Sequence, residues 1–470
     1  MNFWKPYQFL KISVFLLPLL AGSAHAQTPG IQTDPWIRLS LPQTPDWLKV
    51  SGHQRTRYES LSDQFRFIGH GSDQILAFRT TLKMEFDLDC FDLVVEMIDS
   101  RQELADTGSP LSPGIVDTLD ILQAYVELEV PNRFCPATPG RFRFGRQTMD
   151  IGSRRLVARN RFRNTINSFT GVHGEWTAPS GETLRAFYVL PVERLPFDFQ
   201  SLMNNDHEWD DEDFGTQFWG IHYLHPEVRL DIDGELYLYG LHEEDRPNRP
   251  TRDRDLYTTG IRLFREPKPG CYDFEWESVY QTGESRSSIL PTNTQDLDHE
   301  AHFHHVEAGY SFDRCYSPNL ALLFDYASGD KDPNDNKNNR FDTLYGARRF
   351  DYGPTGIYGA FARSNLISPG YRLLLKPRKT IDFGFAHRFN WLASDTDAWT
   401  TAGVRDPSGQ TGTFIGHQIE CRVRWKAIPE KLDIEFGAAH LFAGEFMKDA
   451  PNSNGEGDAT YGYVQTVLTF

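Results

Sequence analysis

From residue 47 onward the chain consists of segments in which apolar and polar residues strictly alternate, a period that suits strands with two unlike faces and excludes a helical architecture. The clearest runs from Val228 to Leu238, where Val228, Leu230, Ile232, Leu236 and Leu238 alternate with Arg229, Asp231, Asp233, Glu235 and Tyr237. The same period sets Leu76, Phe78, Leu82, Met84 and Phe86 against Arg79, Thr81, Lys83 and Glu85, and Ile419, Val423 and Trp425 against Glu420, Arg422 and Arg424. One face is apolar and the other charged. Along the whole chain the pattern predicts about eighteen strands, the first at about 47–60 and the last at about 460–470, with a turn at His225-Pro226-Glu227 separating strands at 214–225 and 228–241.

The connections fall into two alternating classes. One is short, as in Asp87 to Cys90, Pro179-Ser180-Gly181, Pro377-Arg378 and Ile428-Pro429-Glu430; the other is long and polar, as in Asn204 to Asp213 and Gly329 to Arg340. A soluble solenoid or a pair of sandwiches would also alternate, but would not sort its loops by length. The expected fold is therefore all-β, a transmembrane antiparallel β-barrel of about eighteen strands with short periplasmic turns and long extracellular loops, in the outer membrane of a Gram-negative-type bacterium. Mean hydropathy of −0.51 fits strands, not a bundle of spanning helices. The chain ends Tyr461-Gly462-Tyr463 to Thr469-Phe470, an ending similar to the assembly signal of bacterial outer-membrane proteins.

Lys5 and Lys11, an apolar stretch from Ile12 to Leu20 and then Ala24-His25-Ala26 read as a cleavable secretory signal over residues 1–26. Residues 27–46 are expected to form a periplasmic segment and 47–470 the barrel. Losing the two lysines takes the formal charge from −17 to −19, which opposes binding of nucleic acid over a broad surface. In an oxidising compartment the cysteines gain meaning. Cys90 and Cys135 fall in consecutive short turns, as do Cys271 and Cys315, so Cys90–Cys135 and Cys271–Cys315 are the candidate disulfides, while Cys421 is left in a strand.

Against this acidic background, residues 141–163 (RFRFGRQTMDIGSRRLVARNRFR) carry Arg141, Arg143, Arg146, Arg154, Arg155, Arg159, Arg161 and Arg163 with the single acid Asp150. Each guanidinium offers a planar fork of donors suited to carboxylates and phosphates. Parity puts Arg141 and Arg143 opposite Phe142 and Phe144, toward the lumen, and the stretch that follows is expected to fold inward and line the pore. Arg55, Arg57, Arg79, Arg372, Arg388 and Arg422 share the inner parity on one arc, whereas Asp231, Asp233, Glu235, Asp273, Glu275 and Glu277 come from the opposite arc. A field set up across a narrow low-dielectric channel would concentrate anions along the arginine wall. Two other readings stand beside this one: an external loop holding lipopolysaccharide phosphates, and a lattice of arginine–acid pairs that only stabilises the barrel.

Several short stretches resemble the alginate export family of outer-membrane porins. They are Ser51-Gly52 before Arg57-Tyr58-Glu59; Gly145-Arg146-Gln147; Gly152-Ser153-Arg154-Arg155-Leu156-Val157; Arg161 to Asn164 leading to Phe169-Thr170-Gly171-Val172; and Phe341 to Gly346 before Ser364-Asn365-Leu366. The resemblance implies an eighteen-stranded monomeric barrel with an arginine-lined constriction. It implies that an anionic, uronate-type polysaccharide diffuses through it, delivered by a periplasmic secretion complex. The alternatives are a porin for small anions such as phosphate or sugar acids, and an outer-membrane hydrolase. For the last, no Ser-His-acid set or carboxylate pair shows distinctive spacing, so the chain is read as a non-enzyme.

No cofactor is expected. His302 and His304 share a strand face without a third ligand, which is a poor metal site. Asp330, Asp332, Asn334, Asp335 and Asn336 are rich in oxygen, as calcium requires, but lack the Gly and final Glu of an EF-hand, and a solvated loop is expected there.

Overall fold

The computed structural model of the chain describes residues 45–470 apart from residue 70, 131–139 and 247–248. The expected signal at 1–26, all but the last two residues of the 27–46 segment, and Cys135 lie outside the described residues. The strands are β1 (Leu48–Ser62), β2 (Asp73–Asp87), β3 (Asp92–Glu103), β4 (Asp117–Val130), β5 (Gly140–Gln147), β6 (Phe169–Thr177), β7 (Thr183–Pro191), β8 (Thr216–Arg229), β9 (Ile232–Glu243) and β10 (Asp255–Arg265). They continue as β11 (Tyr272–Ser285), β12 (Leu297–Ser311), β13 (Asn319–Ala327), β14 (Lys337–Asn338), β15 (Leu366–Arg378), β16 (Ile381–Trp391), β17 (Phe414–Ile428), β18 (Leu432–Ala443) and β19 (Ala459–Thr469). Three short helices interrupt the long loops: α1 (Phe199–Asn204), α2 (Arg349–Tyr352) and α3 (Glu445–Asp449).

Each strand pairs antiparallel with the next, and β1 closes on β19 with Arg55 opposite Val467. The two-residue β14 stands apart: it pairs parallel with β12, while β13 pairs directly with β15. Eighteen strands therefore form the closed wall, and closure leaves no edge to satisfy in lipid. The outward residues are apolar, with Leu236 and Leu238 of β9 56% and 38% exposed, while Tyr237 and Tyr239, alternating with them, are buried inside.

One turn lies where the alternation misleads. The run from Val228 to Leu238 is not a single strand: β8 continues through Pro226 to Arg229, and the chain reverses at Leu230 and Asp231, with φ of 50° and 61°. Pro226 cannot donate to the ladder, so it sits in a bulge, marked by the register shift between His225 and Arg229. The sequence places proline and a reversal together, whereas here the proline only bends the strand.

The interior differs from a uniformly charged face. Toward the long-loop rim, inward positions such as Ile75, Val189, Phe218 and Phe303 are apolar and buried. They pack against two segments folded into the lumen, 148–168 and 328–365, whose Leu156, Val157, Phe341, Ile357, Tyr358 and Phe361 are all buried. Covering such a side chain stabilises the folded segment by about 1.5–3 kcal/mol. The segments also join one another, Val157 bridging both Ile151 and Tyr345.

Candidate functional site

The first in-folded segment is held by the wall through its own backbone. Arg55 donates to the carbonyls of Arg161, Phe162 and Arg163 at 3.1, 3.0 and 2.9 Å, Arg57 to that of Phe162 at 2.6 Å, and Arg79 to those of Arg161 and Arg163 at 3.2 and 3.0 Å. Asn164 completes the anchor, its Nδ2 donating to the carbonyls of Phe78, Arg101 and Ile115 while its Oδ1 accepts from Arg55. Arg55 and Arg57 are thus buried supports, not exposed cations on an open wall.

Most of the 141–163 arginines have an acid of their own. Arg141 meets Glu175 at 2.6 Å, Arg143 meets Glu127, Arg146 meets Asp120 at 3.0 Å and also Glu212, Arg159 meets Glu96 at 2.8 Å, and Arg161 meets Asp150 at 2.8 Å. Arg155 is the hub. It contacts Glu275 and, at 2.7 Å, Glu277 on β11, and at 3.1 Å Asp351 of α2, which also pairs with Arg363. Against the effect of burial, Arg155 and Arg363 hold the Asp351 carboxyl far below the usual carboxylate range. This network ties both in-folded segments to the acid-rich arc of the wall.

The remaining predicted wall residues divide the same way. Arg372 pairs with Glu307, and Arg388 is buried against Asp325 at 2.6 Å. Arg388 and Arg155 are therefore corrected from solute-facing to structural positions, because carboxylates from elsewhere on the inner wall or from the in-folded segments saturate each one. Arg422 on β17 and Arg154 have no acid within ion-pair distance among the described residues, and Arg154 lies over the ring of Phe350.

The two acid-free cations, Arg154 and Arg422, both line a cavity of 490 Å³ between the in-folded segments and the wall of β15 to β19. Its lining holds seven arginines, Arg55, Arg154, Arg161, Arg349, Arg372, Arg422 and Arg424, against four acids, Asp150, Asp351, Glu420 and Glu435, an excess of three. Where the in-folded segments meet the 192–215 loop, Arg163 and Arg348 line two further cavities of 410 and 290 Å³ together with Arg194. Arg163 makes a side-chain bond to Asn167, and Arg194 bonds the carbonyls of Pro113 and Ile166; no carboxylate lies within ion-pair distance of these three among the described residues. Burial, aided by the neighbouring Arg194 and Arg348, pulls Arg163 well below the usual arginine range, and burial with Arg363 beside it lowers Arg348 to about 10.

Arg194, Arg348, Arg349 and Arg363 are not distinguished by sequence density, since each stands in a long loop outside the arginine-rich stretch. The usable signal is the apolar, glycine-rich character of 341–363, unsuited to a solvated loop. The disulfide reading is corrected: Cys271 and Cys315 are free thiols. Cys271 is fixed at the start of β11, its carbonyl accepting from Ser311, whereas Cys315 lies beyond that ladder in the 312–318 turn. Cys90 is exposed and its proposed partner Cys135 is outside the described residues. His302 and His304 do share the outer face, 3.0 Å apart, but His299 and His305 share the inner one, on Ser285 and Asp325. The oxygens of the 330–336 loop do not converge: Asp332 and Asp335 accept from the backbone of Asn334 and Lys337 in their own turns.

The sequence profile described as alginate export matches residues 46–459. No curated protein matches the sequence. Among solved structures, OccK8 (OprE) of Pseudomonas aeruginosa is similar with a TM-score of 0.58 at 9% identity, covering 90% of this chain and 98% of that one. OccAB1 of Acinetobacter baumannii gives 0.57 at 10% identity, covering 90% and 97%. Pseudomonas aeruginosa OpdK, solved with vanillate, gives 0.54 at 12% identity, covering 90% and 99%.

Proposed function

The chain belongs to the alginate export family, and from that premise we propose that its barrel passes an anionic, uronate-type polysaccharide by passive diffusion along the arginines of the 490 Å³ cavity. It is an outer-membrane channel, with its short turns toward the periplasm. The observation that carries the proposal is the excess of three cations in that cavity, within a chain whose formal charge is −17. Low-dielectric walls focus such an excess and raise the local concentration of anions. Arg154 and Arg422, free of acids, present guanidinium forks to successive carboxylates of the polymer. Glu420 and Glu435 share the cavity and keep any one contact exchangeable, which onward movement requires. Arg163, Arg194 and Arg348 offer the next set of forks where the in-folded segments meet the 192–215 loop.

The test is the reversal potential of the purified barrel in a salt gradient, with and without oligouronate, for wild type and for Arg154→Gln with Arg422→Gln. Anion selectivity that oligouronate blocks and the double variant loses supports the proposal. Cation selectivity, or indifference to the replacements, would sink it. A second reading, a porin for small anions, draws on the similarity to OpdK with its bound vanillate, a small carboxylate. In that case sugar acids permeate and oligouronate neither blocks nor passes.

A further inference from the structure

Away from the arginine cavity, three aspartates meet at the long-loop end of β4. Asp117 and Asp120 are three residues apart, a spacing that turns side chains to opposite faces of a regular strand. The register here shifts, with Ile98 opposite Asp120 but Ser100 opposite Asp117, and Leu119 takes a φ of 53°. This bulge aims both carboxylates inward, where each is 2% exposed, and turns Leu119 out. The third, Asp210, arrives from the 192–215 loop. It is fixed by the Leu195 N–H donating to its Oδ1 at 3.0 Å, and its own N–H donates to Asp120 Oδ2 at 2.8 Å. One oxygen from each of the three lies within 4.8 Å of the other two.

These charges are only partly compensated from within. Arg146 bonds Asp120 Oδ1 at 3.0 Å but also serves Glu212. Arg194 is turned to the carbonyls of Pro113 and Ile166 and to Asn167. Among the described residues Asp117 and Asp210 have no ion-pair partner, and Asp117 Oδ1 is buried with no hydrogen-bond partner at all. An unpartnered carboxylate oxygen at that depth is costly unless something absent from the protein itself meets it.

We propose that Asp117, Asp120 and Asp210 form a binding site for a hard divalent cation of the calcium class, which staples the 192–215 loop to β4. The donor set is oxygen only, which disfavours zinc or copper. Two oxygens each about 2.4 Å from one calcium ion stand at most about 4.8 Å apart, so the spacing of the three carboxylates admits a shared ion. Water completes the coordination. The loop it fixes carries Arg194, so cation loading also sets the position of an arginine that lines the outer cavities.

The test uses the full barrel refolded in detergent without lipopolysaccharide and stripped with a chelator. Calcium chloride is titrated by calorimetry, and thermal unfolding is followed with and without calcium, for wild type, Asp117→Asn, Asp210→Asn and the exposed loop control Glu208→Gln. Expected is one calcium per chain, a higher Tm with calcium, a loss of affinity of about tenfold or more in either Asn variant, and wild-type behaviour in Glu208→Gln. Because the wild-type titration stands alone, poor folding of a variant does not remove the test. Absence of calcium binding to wild type, or binding that Glu208→Gln weakens as much as Asp117→Asn does, overturns the proposal in favour of carboxylates that share protons.

Discussion

Arg155 and Arg163 belong to the same in-folded segment, the first buried and the second half-buried, yet they sit in opposite electrostatic company. Arg155 is surrounded by Glu275, Glu277 and Asp351. Arg163 faces Asn167 and the cations Arg194 and Arg348. The same side chain therefore does two jobs, decided by how many carboxylates reach it. In the first place it joins the in-folded segments to the wall; in the second its positive charge is left without a carboxylate partner. An arginine-rich sequence is thus not yet an arginine-lined path, because saturated members hold the structure and unsaturated members make the field.

The contrast is broken most directly at Arg155. Replacing it with Gln leaves Glu277 and Asp351 buried with fewer counter-charges, and loss of one partner from a buried ion pair costs about 3–5 kcal/mol. Urea unfolding of the refolded barrel should show that loss for Arg155→Gln, partly restored by adding Asp351→Asn, which removes a stranded acid. If Arg155→Gln unfolds like wild type, the network is not what holds the segments.

A smaller effect is expected at the second latch. Glu59 accepts from Arg57 at 2.7 Å, from the Ile357 N–H at 3.1 Å and from Tyr461 at 2.9 Å, so it ties the 328–365 segment to β1 and β19. Gly356 makes this approach with φ of 74°, and a Cβ there would lie 2.2 Å from Glu59 Oε2. Gly356→Ala should cost at least the about 1–2 kcal/mol of a left-handed non-glycine residue, and should raise single-channel conductance and proteolysis within 349–363. Unchanged conductance and cleavage would mean that the segment is held without this latch.

At Arg163 and Arg348 the expectation reverses. Replacing both with Gln removes repulsion between buried cations and leaves no acid stranded, so stability should stay within about 1 kcal/mol of wild type. The ratio of anion to cation permeability should fall, by roughly twofold to tenfold. A destabilised variant with unchanged selectivity would place these arginines with Arg155 and erase the distinction between the two groups.

How much of this was legible beforehand follows from the range of each interaction. The strand pattern is local, because lipid on one side and protein or water on the other impose a period of two on consecutive residues, and the eighteen wall strands can be read from it. The reversal at Leu230-Asp231 escaped because Leu230 is not a residue that favours the left-handed region, while Pro226 advertises a break it does not make. The arginine-rich stretch is visible as composition, but its sorting is not. Arg155 and Asp351 are 196 residues apart, and their meeting depends on strand tilt, stagger and the inward path of two loops. Asp117 and Asp120 look like residues of opposite faces until the bulge turns them the same way.

The smallest predicted effect concerns a pair intermediate between the two groups. Arg424 stands 3.6 Å from Asp382, with the side chains 51% and 35% exposed. Such a contact is worth little, so Asp382→Asn should change stability by no more than about 0.5 kcal/mol. It frees Arg424, which lines the 490 Å³ cavity, and should therefore raise anion selectivity, opposite in sign to Arg163→Gln with Arg348→Gln. Salt separates the two cases further. The Debye length falls from about 10 Å at 0.1 M to about 3 Å at 1 M, so the gain from Asp382→Asn should vanish at the higher salt, while the loss from the half-buried Arg163 and Arg348 should shrink less. Reversal potentials measured at both concentrations decide it. Equal salt sensitivity of the two variants would mean that water and ions reach Arg163 and Arg348 as freely as they reach Arg424, and the outer arginines would then be an open vestibule and not a buried field.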